Sequence, residues 1–263
     1  MNNAENKRLI EILRDEKYLN SILVDLAKNG DAEAVNLLIK TGMDVTINDN
    51  DAIKNASWNG HAEVVDLLIK AGADPTAENN YCIRFASQHG HTETVKVLLK
   101  AEVDITADEN CAIRQAARKG YVEIVKLLIE AGADPTDHEN YAIKYAAFNG
   151  HTEVIKLLIK AGVDITVDDN YAIKYASKNG HLDIVKLLIT AGADIHVDED
   201  FPFRKAVEKG QIKVVEYLID RGAEIQAKDE YALKKAHKNH YNDIVELLET
   251  KLIEQNRKKR QKR

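Results

Sequence analysis

Cysteine is scarce: Cys82 and Cys111 are the two in 263 residues. Two thiols cannot make a disulfide framework, and no CxxC or Cys/His pairing has zinc-like spacing, so a reducing compartment is the natural setting. Long apolar runs are missing as well. The N-terminus, MNNAENKRLIEILRDEKYLN, never exceeds two apolar residues in a row. That is too short for a signal-peptide core or a membrane span, and an intracellular chain is expected, cytoplasmic or nuclear. There is no phosphate-cradling glycine loop, nucleophile elbow or HExxH pair. His237 and His240 in HKNH offer two nitrogens without a third soft ligand and read as solvated helix surface. No catalytic, cofactor-binding or metal-binding set can be assembled, and the chain reads as non-enzymatic.

What is present is a foldable mixture, 44% hydrophobic and 30% charged, with a net charge of −6. The charge is unevenly placed. Residues 251–263 hold seven Lys/Arg and one Glu, leaving 30 basic and 42 acidic groups in residues 1–250. The body is therefore near −12 and the tail near +6.

Thirteen glycines fall into two phases of a 30-residue period. Gly30, Gly60, Gly90, Gly120, Gly150, Gly180 and Gly210 precede a second helical run; Gly42, Gly72, Gly132, Gly162, Gly192 and Gly222 follow it. The first set fits a tight turn between helices, the second the left-handed residue that ends a helix. Glu102 stands in the second phase and His240 in the first, each where the period calls for glycine.

Apolar spacing fixes the buried faces. Ile53, Ile83, Ile113, Ile143, Ile173, Phe203 and Leu233 share a phase, and Ala follows three residues later in every unit, from Ala56 to Ala236. Val65, Leu68 and Ile69 recur in the second helix at i, i+3 and i+4. Such a small pair cannot bury both its faces, so neighbouring pairs must stack. The expected fold is an all-α solenoid of about eight helix-turn-helix units, near residues 21–50, 51–80, 81–110, 111–140, 141–170, 171–200, 201–230 and 231–250. Residues 1–19 are expected to cap the first pair through an amphipathic helix over 4–15 carrying Leu9, Ile12 and Leu13. At the other end Glu249 takes a phase otherwise held by Ile or Leu, as suits an outward-facing cap.

The stretch GHLDIVKLLITAGADI resembles the second half of an ankyrin repeat, and the resemblance covers about residues 20–250. It implies paired helices in a curved stack with projecting loops, gripping other proteins on a concave side. The ladder Asp44, Asp74, Asp104, Asp134, Asp164, Asp194 with Glu224 is similar to the family's structural acid. His61, His91, His151 and His181 sit where the family uses His structurally. The first half departs from the pattern. YAIKYAS stands where the family has Thr-Pro-Leu-His, only Pro202 recovers the helix-starting proline, and the unit is shorter than the usual ~33 residues. A clipped loop is expected in place of the long hairpin finger. This clipped unit is most similar to ankyrin proteins encoded by giant DNA viruses of amoebae.

The residues that the fold does not require lie on the other face of the first helix, expected to line the concavity. Lys54, Arg84, Arg114, Lys144, Lys174, Arg204 and Lys234 place one base in each repeat from the second to the eighth. Phe85, Tyr145 and Tyr175 lie beside them; Trp58, Arg118, Phe148 and Lys178 precede the turn, where ankyrin proteins commonly touch partners. Two readings of the bases stand. Either each pairs with an acid just before it, Asp49, Glu109, Glu139, Asp169, Glu199 or Asp229, or the bases form an aromatic-lined groove for an acidic or phosphorylated segment. The loop acids argue against nucleic acid. The function expected is a monomeric protein-interaction scaffold; the alternative is a nucleic-acid-associated or nuclear-targeted protein using residues 251–263. In that tail Arg257, Lys258, Lys259, Arg260, Lys262 and Arg263 form either a nuclear localisation signal or a solubilising run.

Overall fold

The computed structural model describes the backbone of residues 16–261 and the side chains of 18–226 and 231–257. The expected N-terminal helix over 4–15 lies outside the described residues, as do the side chains of the basic run after Arg257. By contacts the chain forms two units, residues 1–116 with 121–134, and residues 117–120 with 135–263.

Sixteen helices make up the described residues, in eight hairpins, with no strand among them. The first of each hairpin are α1 (Glu16–Asn29), α3 (Ile47–Asn59), α5 (Ala77–His89), α7 (Ala107–Lys119), α9 (Asp137–Asn149), α11 (Val167–Asn179), α13 (Val197–Glu208) and α15 (Ala227–Lys238). Their partners are α2 (Ala32–Lys40), α4 (Ala62–Lys70), α6 (Thr92–Lys100), α8 (Val122–Glu130), α10 (Thr152–Lys160), α12 (Leu182–Thr190), α14 (Ile212–Asp220) and α16 (Asn242–Gln261). Nine-residue helices such as α4 are too short to persist alone in water, so stacking has to hold them. Within the first unit α3 packs on α1 and α5; within the second, α11 packs on α9 and α13.

The expected apolar rows are the core. Ile53, Ile83, Ile113, Ile143, Ile173 and Phe203 have no exposed surface, and neither do the Ala residues three positions on. Burying each large side chain contributes about 1.5–3 kcal/mol, while the Ala row lets adjacent first helices approach. Glu249 points outward as expected of a cap. The last helix does not stop at residue 250 but continues through Gln261.

The clipped loop has a definite geometry. In six successive repeats three consecutive residues without a glycine adopt left-handed φ: Asn48 to Asn50, Glu78 to Asn80, Asp108 to Asn110, His138 to Asn140, Asp168 to Asn170 and Asp198 to Asp200. Left-handed backbone costs about 1–2 kcal/mol per residue, less for Asn and Asp, so something must hold these turns. Part of the answer is the third residue. Asn50 Oδ1 accepts the backbone N–H of Asp74 at 2.7 Å, and the same bond recurs from Asp104 to Asn80, Asp134 to Asn110, Asp194 to Asn170 and Glu224 to Asp200. The acid ladder completes the turn. Asp74, for example, accepts from the backbone N–H and hydroxyl of Thr76 at 2.8 and 2.6 Å. At Asp44 and Asp104 the Thr hydroxyl, ahead of its N–H, holds the carboxyl below the ordinary carboxylate range; at Asp164 the backbone N–H leads.

Candidate functional site

The one-per-repeat bases belong first to these turns. Lys54, Lys144, Lys174 and Arg204 are buried, with 6–8% of their surface exposed. Arg84 donates from Nε to the carbonyl of Asn79 at 2.9 Å and from Nη2 to that of Glu78 at 3.1 Å. Arg204 repeats both bonds, to the carbonyls of Glu199 and Asp198, each at 2.7 Å; Arg114 reaches the carbonyl of Asp108 at 2.7 Å. A guanidinium thus gathers carbonyls that the left-handed turn directs inward, while an ammonium bridges forward to the next repeat. Lys144 meets Asp168 at 3.2 Å, Lys174 meets Asp198 at 2.5 Å, and Lys54 holds Glu78 together with Asp51 at 3.0 Å. Burial alone would pull the Lys54 ammonium down, but the hydrogen bonds it donates to Glu78 and Asp51 carry it above the usual lysine value.

The expected pairing within one repeat occurs at Lys144 and Glu139, 3.7 Å apart, but the closer acid is Asp168 of the following repeat. Asp108 likewise meets Arg84 of the repeat before it, at 3.1 Å. The turn explains the shift: its first residue carries the carboxylate back towards the preceding helix, whereas Glu139, its second residue, has 90% of its side chain exposed.

The structural histidines have an equally definite partner. His61, His91, His151 and His181 each bring Nε2 within 2.8–3.0 Å of a backbone carbonyl 33 residues earlier, those of Lys28, Trp58, Arg118 and Phe148. A carbonyl only accepts, so Nε2 carries the hydrogen. Among the described residues no group of three or more His, Cys, Asp or Glu is placed to hold a metal ion. His237 instead lies 3.7 Å from Glu249.

After these roles are assigned, the first helices retain a face of half-buried aromatics. In the first unit Trp58, 39% exposed, stacks on Phe85 with centroids 4.8 Å apart, and Phe85 stacks on Tyr81 at 4.0 Å. In the second unit Tyr141 stacks on Tyr145 at 4.0 Å and Tyr171 on Tyr175 at 4.1 Å. Phe148, 37% exposed, packs against Tyr175 at 5.9 Å, and Lys178 lies over the Tyr175 ring at 5.2 Å. Arg118 is exposed at the turn end of α7. The expected site residues therefore divide into Lys54, Arg84, Arg114, Lys144 and Lys174, tied to the turns, and Arg118, Lys178 and the aromatics, which share the partly open face. The sequence reading passed over Tyr81, Tyr141, Tyr171 and Phe201, although a second aromatic at i+4 from three of them gave the signal of a helical face.

The chemistry of this face is that of contact: broad rings, hydroxyls and fixed charges, with a groove of about 530 Å³ beside Trp58, Asn55, Asn59 and Tyr81. No helix among the described residues is long and apolar enough to cross a membrane. No curated protein sequence matches the chain. The family model for ankyrin repeats in three copies matches residues 2–79, 56–139, 135–199 and 173–259. With stacked helical hairpins and a match that runs through nearly every repeat, the chain belongs to the ankyrin-repeat family.

Proposed function

We propose that this protein is a non-enzymatic scaffold that grips a protein segment along the face formed by its first helices, the expected concave side, and does so as a monomer. Ankyrin repeats are generally protein-interaction modules. The observation that carries the reading is the pair of large rings the fold leaves open, Trp58 and Phe148. Exposed aromatics of this kind are favoured as interface anchors because they bury much area at little entropic cost. Phe85 and Tyr175 border the rings and Lys178 covers Tyr175, and Arg118 and Tyr145 are proposed as further contacts, with Lys54, Arg84, Arg114, Lys144 and Lys174 supporting the helices that carry them. The proposed giant-virus source is supported by the clipped 30-residue unit with Asn-Tyr-Ala-Ile-Lys at its start.

Affinity capture from the native host cell with Trp58→Ala and Phe148→Ala together should lose the partner retained by the natural protein. Capture that survives this change at high salt would move recognition to another face. The basic run from Arg257 is proposed as a nuclear localisation signal, supported by its composition. A large fluorescent reporter carrying residues 251–263 should then enter the nucleus, and a cytoplasmic distribution would reject the signal.

A further inference from the structure

The second unit carries a regular series of aromatic pairs. Tyr141 with Tyr145 forms one stacked aromatic ridge and Tyr171 with Tyr175 the next, followed by Phe201 in the same row, 6.5 Å from Tyr175. In the first unit Cys111, Gln115 and Asn55 interrupt the equivalent rows, so the continuous series belongs to the second. Packed helices lie about 8–10 Å apart, which sets the spacing of ridges and of the furrows between them. A polyproline II strand advances about 3.1 Å per residue with three residues per turn, so it repeats every ~9 Å. Each turn of such a strand matches a successive furrow in length, where its unpaired carbonyls could accept from the hydroxyls of Tyr145 and Tyr175. An α-helical partner repeats every ~5.4 Å, so its successive turns alternate between furrow and ridge.

Charge fixes what accompanies the prolines. Along the loop edge of the same ridges, Glu139, Asp169 and Glu199 are exposed at one phase, one carboxylate per repeat. Lys144, Lys174 and Arg204 beneath them are buried and lie over Tyr171 and Phe201 at 5.6–6.0 Å, their charge already met by the turns, while Lys178 and Lys205 lie over Tyr175 and Phe201 at 5.2 and 5.6 Å. We propose that the second unit docks a proline-rich segment in the polyproline II conformation, with Arg or Lys at every third residue facing this carboxylate row. The inference rests on the scaffold reading above and deepens it.

The test uses the full chain and three labelled nonapeptides in fluorescence anisotropy: (Pro-Pro-Arg)3, (Gly-Ser-Arg)3 with the same charge but no stiffness, and (Pro-Pro-Glu)3 with the charge reversed. The first should bind about tenfold or more tightly than either other, because preorganisation and complementarity are both required. Tyr145→Phe with Tyr175→Phe, which keeps the packing, should weaken it about threefold by removing two donors. Glu139→Gln with Asp169→Asn should do the same, thermal melts confirming that each variant is folded. Equal binding of the Gly-Ser peptide, preference for the Glu peptide, absence of binding, or indifference to both variant pairs would overturn the proposal. So would oligothymidylate that binds more tightly than the Arg peptide and displaces it. Peptide failure with capture through Trp58 and Phe148 intact would remove this inference alone.

Discussion

A Cβ on Gly150 would lie 2.7 Å from Cε1 of His181, the ring whose Nε2 meets the carbonyl of Phe148 at 3.0 Å. The glycine and the histidine of the next repeat are thus one device, the glycine vacating the space that the ring fills. Gly162 has almost the same φ, 83° against 85°, but nothing within 4 Å of its Cβ position. Gly162→Ala should therefore cost about 1–2 kcal/mol, the left-handed penalty alone, and Gly150→Ala distinctly more. Urea unfolding measures both. Adding His181→Ala should bring Gly150→Ala back towards the Gly162 value, and a double-mutant cycle without coupling would refute the steric account.

Glu102 holds a left-handed conformation, φ 54°, at the end of α6 where other repeats place glycine. Glu102→Gly should raise stability by about 1 kcal/mol, since the strain disappears and no resolved charge partner is sacrificed. A lowered melting temperature would show that the carboxylate has a structural role of its own.

Lys144→Gln with Lys174→Gln should lower stability by about 1–2 kcal/mol each, because both ammonium groups are largely buried and each carries a carboxylate of the next turn. Partner capture should persist. Unaltered denaturation with lost capture would instead favour the acidic-partner reading of the bases.

Burial pushes the Cys82 thiol up to about 11, and the residue has no exposed surface; Cys111 is half-buried and raised less, by burial first and then by Asp108. The thiolate is the reactive form, and in a raised-pKa group it is withheld until the pH climbs through that higher value. At pH 8 iodoacetamide should label Cys111 slowly and Cys82 only on unfolding, which peptide mass spectrometry resolves. Early modification of Cys82 would contradict the packing of α5.

The helical class and the repeat phases were legible because glycine and the Ile/Ala rows report directly on backbone freedom and burial. The turns were less so. Runs such as Asn-Asp-Asn at 48–50 and Asp-Asp-Asn at 168–170 carry the residue types that best tolerate left-handed backbone, yet without glycine they read as plain polar loops. Missing the turn hid why, in each of the six repeats that show it, a base follows six residues after its first position. Lys144 counted as a groove cation from sequence spacing, whereas burial and the partner Asp168 depend on a contact 24 residues along the chain. The Gly and His signals were each visible, but their relation needed the position of one repeat against the next.

Because the Asn50 to Asp74 bond spans 24 residues and the His61 to Lys28 bond spans 33, each recurring at the same offset, the joints between neighbours are interchangeable in kind. A gene that gains or loses one internal 30-residue unit rejoins matching donors to matching acceptors and closes no gap. Copy number can therefore drift by recombination within the coding sequence while every product retains a foldable seam, so the length of the gripping surface is open to selection one ring, or one charge, at a time.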